Sequence, residues 1–592
     1  MNITPNKLSI AQLFATPNEQ FIVPPYQRRY AWGFQQYLAL YEDIDMLKDD
    51  DGHLFGMVIL HTSFHTAGLN QPELVDGQQR LTTLVILLRA LADVFYNLDK
   101  FEKSTEIEKM LSCNGLDDVK KPKIRLGELD NIDIENLLLH KNSTNISNPN
   151  ILAAYESYRE WLSELTFEEV NRFYFKLTNT AVIIRLDVGM AQDAYKLFET
   201  INNRGLRLTA TDVIKNFLLG HAAKINSDHT LDKVKSLWSE IITNLDQLDS
   251  DDFLRHFMCA TLKHKLSMSK LIYEFKKHYL RNVENADLLG EYGYYDYGVQ
   301  DDDEDDVETG SNSEDTISNK ISIIEFLTGL CHLSETYKQI SKETFKDVKI
   351  NRRISNLNNI LSKPSYIFLM YFLQDPKYVQ KTKLQVLEYL ESLMLRRHIC
   401  ENRTSDNDDI FSKLVQFLGS DDLLNEIKQF IGENDYMPDD EDFALSFPKY
   451  QFKGRLVDRA KYILATIEYH LRGNTNELIV SSSGEVELEH IIPQTIEDKK
   501  SKILYGNWEE YLGSYALPKH KKHVNLIGNM TLLGESLNIQ AYNNPFAKKK
   551  NSYKNSSFLI TSELGKSNDF KFNNVIKRGE SYSELALKIW KS

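Results

Sequence analysis

Apolar residues along this chain change their spacing, and the change divides it. In the first 220 or so residues, short runs rich in β-branched and aromatic side chains (FIVPPYQ, HLFGMVILHT, PELV, TAVIIRLDV) alternate with stretches whose apolar positions fall three and four apart, Leu81 to Tyr96 and Gln192 to Ile201. That mixture predicts an α/β domain. From about Leu231 to His398 the spacing stays helical, as in IIEFLTGLCHLSETYKQI and KLQVLEYLESLMLRRHI, and predicts a helical middle region. The run ENADLLGEYGYYDYGVQDDDEDDVETGSNSED interrupts it. Clustered like charges with Gly and Ser bury too little apolar surface to order themselves, so an acidic flexible insertion is expected near 284–316. A further helix, Arg455 to Leu471, leads into a polar, chemically capable stretch from about Glu485 to Lys554.

The expected organisation is therefore α+β and multidomain: an N-terminal α/β domain over 1–225, a largely helical middle region over 226–400, and a C-terminal helical domain over 401–592 with its core at about 485–555. With 592 residues, 42% hydrophobic and 11% aromatic, the chain can fill more than one core. Its start, MNITPNKLSIAQLF, lacks a basic segment followed by a long apolar one, and the richest apolar run, Leu81 to Ala92, is broken by Arg89. A soluble cytoplasmic protein with no membrane partner is expected. Cys113, Cys259, Cys331 and Cys400 are scattered and form no CxxC pair, which predicts buried reduced thiols rather than a disulfide framework or a zinc ribbon. The formal net charge of −15 argues against indiscriminate nucleic-acid binding. Locally the sign reverses: between Tyr511 and Ile560 there are seven lysines and one acidic residue, Glu535, a pattern that suits a DNA-facing patch.

Two constellations carry chemistry. In the first, Glu73 to Thr83 (ELVDGQQRLTT) reads as a strand, a tight turn and a helix start, which presents backbone N–H groups and a positive dipole end to a phosphate. Gly77 would let the backbone approach, Arg80 would clamp phosphate, and Asp76 would hold a metal or orient water. A DG turn before a helix also serves folding alone. Upstream, VPPYQRRYAW sets Tyr26, Gln27, Arg28 and Tyr30 in a proline-stiffened stretch whose arginines and rings suit phosphates and bases; the alternative is a loop whose aromatics anchor it to the core. Downstream, FETINNRGLRLTATDVIKNFLL ends one helix near Asn203 and Gly205 and restarts another behind a Thr209 to Asp212 capping box. Capping accounts for Thr209 and Asp212 but not for Asn202, Asn203, Arg204 and Lys215.

The second constellation is VELEHIIPQ, then VNLIGNMTLL, then Asn538. Phosphodiester hydrolysis needs a base to activate water and a cation to offset charge on the phosphate. His490 supplies the base. Glu489 and Asn538 offer oxygen ligands to a hard cation such as Mg²⁺ or Mn²⁺, which keeps waters of its own. A strand entering a turn, a hairpin strand and a helix opening at Ser536 to Ala541 give a ββα outline, with Gly528 as a turn signal and Asn529 tying the loop to the backbone.

The N-terminal stretches resemble the N-terminal domain of the GmrSD family of type IV restriction enzymes, a relative of the ParB and sulfiredoxin fold. The elements are VPPYQRRYAW, the HLFG strand, LVDGQQRLTTL and FETINNRGLRLTATDVIKN, about 200 residues in all. That resemblance implies nucleoside triphosphate binding and hydrolysis involving Asp76, Gly77, Gln78, Gln79 and Arg80. The C-terminal stretch resembles the HNH, or His-Me finger, ββα-metal nuclease domain that closes such proteins, through EHIIPQ, Trp508, HVNLIGNMTLL, LN and NNPFAKKK. It implies Glu489 and Asn538 as metal ligands, His490 as general base, Asn529 as the loop-fixing residue, and Lys549 or Lys550 as a phosphate contact. Glu stands where many relatives have Asp, and Asn where the HNH name implies a last His; both keep an oxygen ligand. The expectation is a modification-dependent DNA endonuclease of anti-phage defence, acting on double-stranded DNA and regulated by a nucleoside triphosphate, with a homodimer left open. The rivals are a nucleotide-switched DNA-binding protein with an inactive nuclease fold, and a nonspecific DNase or RNase toxin.

Overall fold

The structure, a computed structural model, describes residues 3–47, 53–62, 65–66, 68–116, 119–141, 143–202, 209–225, 228–289, 320–473, 486–497, 502–503 and 506–592. Asn203, Arg204, Gly205 and residues 290–316 of the acidic insertion lie outside them. The chain is α+β and divides into two compact units, one of residues 1–255 and 266–335, the other of residues 256–265 and 336–592. The helical middle region is shared between them, from Asp228–Asn244 and Ser250–Leu262 through Ile323–Lys342 to Gln380–Ile399. Among the described residues no helix is long and apolar enough to cross a membrane. All four cysteines are free thiols, buried at Cys113, Cys259 and Cys331 and half-buried at Cys400.

The first unit is built on a six-stranded mixed sheet in the order Ile3–Ser9, Ala181–Val188, His53–His61, Glu73–Asp76, Phe21–Ile22, Ile124–Arg125. Ala181–Val188 runs antiparallel to Ile3–Ser9 and parallel to His53–His61. The FIVPPYQ run pairs only at Phe21–Ile22, because Pro24 and Pro25 bring no N–H to a ladder and release the chain into an irregular loop. The helix Gln78–Asn97 is apolar all round and buried through Leu81, Leu84, Val85, Ile86, Leu87 and Leu88. Arg89, which argues against a membrane span in sequence, is 1% exposed and pairs with Asp93 one turn on, whose carboxylate also accepts from Tyr155 Oη at 2.9 Å. Gly77 enters this helix at φ +95°, and a Cβ there would lie 2.6 Å from Val58 Cγ1, so both conformation and space demand glycine.

In the second unit Val486–His490 and Met530–Gly534 form a two-stranded antiparallel sheet that sets Glu489 opposite Thr531 and His490 opposite Met530. The helix Glu535–Ala541 comes directly after it, then Phe546–Lys554 and Phe572–Ile589. The NLIGNMTLL run forms a strand only from Met530; Ile527–Asn529 is a single 3₁₀ turn. Gly528 is required there by packing, not by the left-handed backbone of a turn. A Cβ on it would lie 2.0 Å from Val575 O and 2.9 Å from Gly579 N of the helix Phe572–Ile589, and Arg578 of that helix donates to the carbonyls of Gly528 at 3.1 Å and Met530 at 2.6 Å. Gly528→Ala is therefore expected to push the helix off this turn and destabilise the second unit by roughly 1–3 kcal/mol, read as a lower urea midpoint; an unchanged midpoint would show that the helix gives way freely.

Candidate functional site

The loop after Phe21–Ile22 has main-chain groups that no strand satisfies, and the two glutamines of DGQQR satisfy them. Gln78 Nε2 donates to Arg28 O at 2.7 Å; Gln79 Oε1 accepts from the N–H groups of Ala31 at 2.8 Å and Trp32 at 3.2 Å, and Gln79 Nε2 donates to Arg29 O at 3.1 Å. Asp130 completes the anchorage, accepting from Tyr30 N and Arg29 Nε, both at 2.7 Å. The structure thus gives both glutamines positioning work. It also turns Tyr26 and Tyr30 inward, 2% and 1% exposed, with Tyr26 Oη donating to Glu73 and Tyr30 Oη 2.8 Å from Thr83 Oγ1. As placed, neither ring is offered to a base, because a proline-bent loop leaving the sheet gains most by burying its aromatics. Arg28 stays accessible, its side chain 43% exposed.

Around that loop the tertiary structure gathers a mixed set of charges. Gln27 donates to Val75 O at 3.1 Å and accepts from Lys215 Nζ at 2.5 Å; Lys215 lies 3.3 Å and Arg28 3.6 Å from Asp212. Burial acts to raise the Asp212 carboxyl, yet Lys215 and Arg28 beside it hold it below the usual carboxylate range. Burial raises Asp76, opposed by the Gly77 N–H that it accepts and by Arg80. Arg80 donates to Met57 O at 2.9 Å and lies against Gly56, where a Cβ would come within 3.0 Å of Cζ. A small cavity of about 20 Å³, the room of one water, lies among Gln27, Arg28, Arg29 and Gln78. Asp212 is the member that sequence reasoning assigned to capping alone. The cap is real, Asp212 N donating to Thr209 Oγ1 at 3.2 Å, but the i, i+3 spacing to Lys215 also puts both groups on one helix face toward Asp76.

In the second unit, the strand Val486–His490 carries Glu489 and His490 to its end, and Asn529 fixes the backbone beyond that end. Asn529, 0% exposed, accepts from Ile492 N and donates to Ile492 O and Val524 O, each at 2.9 Å, while its own carbonyl takes Ile491 N at 2.9 Å. The His490 ring shares a hydrogen bond with the Asn525 side chain and has Gln494 Nε2 3.4 Å from its Nε2. Burial, then the nearby Lys549 ammonium, pushes its pKa down to about 4, so the ring is neutral at neutral pH. Asn525 and Gln494 stand beside the recognised motif residues, but nothing in their spacing marks them as partners of the ring.

Glu489 is 7% exposed and accepts from Lys549 Nζ at 2.6 Å and Tyr553 Oη at 2.9 Å, both on Oε1. Lys549 also donates to His490 O at 2.8 Å and is 1% exposed. Of the two lysines expected to touch phosphate, Lys549 is thus engaged inside, and Lys550 is half-exposed one residue on. Asn538 is half-exposed on the helix Glu535–Ala541. No group of three or more His, Cys, Asp or Glu side chains gathers as a metal site among the described residues. A donor set of one carboxylate and one carboxamide suits a hard cation that keeps most of its water, and Glu489 already carries a cationic partner in Lys549.

Residues 10–219 match the GmrSD restriction endonuclease N-terminal domain, and residues 437–585 match the GmrSD restriction endonucleases C-terminal domain. Together the two matches span more than half of the chain. The chain belongs to the GmrSD restriction endonuclease family. No curated protein matches it. In this GmrSD chain the Asp76 cluster lies in the first matched domain and the His490 strand in the second, in one continuous polypeptide.

Because Asn529 alone pairs two main-chain groups of Ile492 and one of Val524, Asn529→Ala leaves them buried without partners and is expected to cost roughly 2–4 kcal/mol. Asn529→Asp keeps one acceptor but loses both donated bonds, and should be no better. Denaturant unfolding of the two variants decides it: losses below about 0.5 kcal/mol would mean that water or a shifted backbone takes over these bonds.

Proposed function

We propose that this GmrSD-family chain is an endonuclease that hydrolyses phosphodiester bonds in modified DNA, as a phage-defence enzyme, with His490 as general base. The observation that carries the reading is the placing of His490 at a strand end, directly after Glu489 in the chain and followed by a loop that Asn529 pins at four main-chain groups. A neutral ring can take the proton of an attacking water, and an anionic phosphate drawn next to it raises its proton affinity toward the working pH. Glu489 and Asn538 would hold Mg²⁺ or Mn²⁺, which when bound supplies positive charge at the phosphate. With either ion supplied, His490→Ala should cut modified phage DNA about 10² to 10⁴-fold more slowly while melting like the parent protein, and EDTA should stop the parent. Cutting by the variant within twofold of the parent would leave His490 without the role and favour the rival of a DNA-binding protein with an inactive nuclease fold.

We further propose that the first unit binds and hydrolyses a nucleoside triphosphate and so licenses cutting. Support comes from the meeting of Arg28, Lys215 and Arg80 with the carboxylates Asp76 and Asp212 at a helix start, a set that suits a polyphosphate accompanied by a cation. Asp76→Asn keeps the shape and removes one charge. It should abolish phosphate release and the nucleotide dependence of DNA cutting, leaving the His490 chemistry intact. If the parent protein releases no phosphate from any common triphosphate, with or without modified DNA, the nucleotide half of the reading falls and the nuclease half stands.

A further inference from the structure

The second unit holds a cleft of about 1440 Å³, open to solvent, whose lining comes from residues 343–470 and 588–592. It shares no residue with the His490 site. It is larger than the roughly 300–1,000 Å³ of pockets built for small ligands and cofactors, so it has room for a stretch of polymer. Its charge runs against that of the chain: seven Lys and Arg to four Asp and Glu in the lining, where the whole sequence has 70 to 85.

How the charges are held matters more than their number. At the floor, Glu391 is 2% exposed and fully engaged: it accepts from Arg353 at 2.9 Å, from Asn356 at 3.0 Å and from Tyr462 Oη, which in turn accepts from Trp590 Nε1 at 2.8 Å. Arg353 also pairs with Glu388 at 3.0 Å. The remaining cations, Lys349, Arg352, Lys428, Lys461, Lys588 and Lys591, form no ion pair with a described residue. Two of them are steered by rings: the Arg352 guanidinium lies 4.3 Å from the centre of the Tyr469 ring, and the Lys428 ammonium 5.4 Å from that of Tyr389. A ring orients a cation without neutralising it, whereas a carboxylate does both. The cleft therefore presents a surplus of positive charge, two of its cations oriented by rings, in a groove of polymer size, which suits a phosphodiester backbone.

We propose that this cleft is a DNA-binding site that grips the sugar-phosphate backbone of the substrate away from the bond being cut. This rests on the reading of the chain as a DNA endonuclease. The test uses the full chain carrying His490→Ala, so that the probe survives, and a fluorescein-labelled DNA duplex followed by anisotropy over a range of salt. Adding Arg352→Ala, Lys428→Ala and Lys461→Ala should weaken binding at least about tenfold near 0.1 M salt and make the log–log salt dependence shallower by about two to three. Unchanged affinity and slope overturn the proposal. So does saturation of the cleft by inorganic tripolyphosphate that leaves DNA binding intact, since the ligand is then a small polyanion. Should the triple variant not fold, acetylation of Lys349 and Lys588 in the parent protein gives the second readout: protection by DNA supports the site, and equal labelling with and without DNA overturns it. The two readings fail separately, because a protein that binds DNA through the cleft and cuts none loses only the nuclease, and one that cuts DNA with an unaltered triple variant loses only the cleft.

Discussion

A main-chain N–H or C=O buried outside helix and sheet must find another partner, and at both candidate sites of this protein that partner is a side-chain carboxamide. Gln78 and Gln79 pair the backbone of the loop that carries Arg28, and Asn529 pairs the backbone that leaves His490. A carboxamide is suited to this because it both donates and accepts and brings no charge into the interior. Arg28 can then sit accessible on irregular backbone, and the chain beyond the His490 strand end stays fixed.

Charge is handled differently at each place. Glu489 with Lys549, and Asp212 with Lys215, are buried pairs in which removing one partner strands the other, so their value lies in geometry more than in stability. Burial first, and the Lys549 ammonium second, lower the pKa of the neighbouring imidazole, which links the pair to the proton chemistry of His490. In the cleft of the second unit, rings replace carboxylates as the partners of Arg352 and Lys428, and positive charge stays in surplus. A net charge of −15 describes none of these places, since each is decided by which groups lie within a few ångströms of each other.

Much of this was legible in the chain itself. The change of apolar spacing marked the strands at His53–His61, Glu73–Asp76 and Ala181–Val188, the long helix after Gly77, and the helical middle region, because period is a local property that neighbours in sequence impose on one another. The DGQQR and EHIIP runs pointed to the two candidate sites, since each combines residue types seldom set together by chance. What sequence could not decide was which way those residues face. Tyr26 and Tyr30 read either as ligands or as anchors of their loop and are buried; Gln78 and Gln79 read as cofactor contacts and, as placed, hold a loop; Gly528 read as a turn and is a packing contact with Val575 and Gly579; Asp212 read as a cap and also joins a charge cluster. Most of these outcomes depend on partners tens of positions away or more, at separations where the chain carries no periodic signal. The sequence by itself determined the elements and the chemistry available to them. Tertiary packing alone decided which polar groups were consumed in satisfying the backbone and which were left to act.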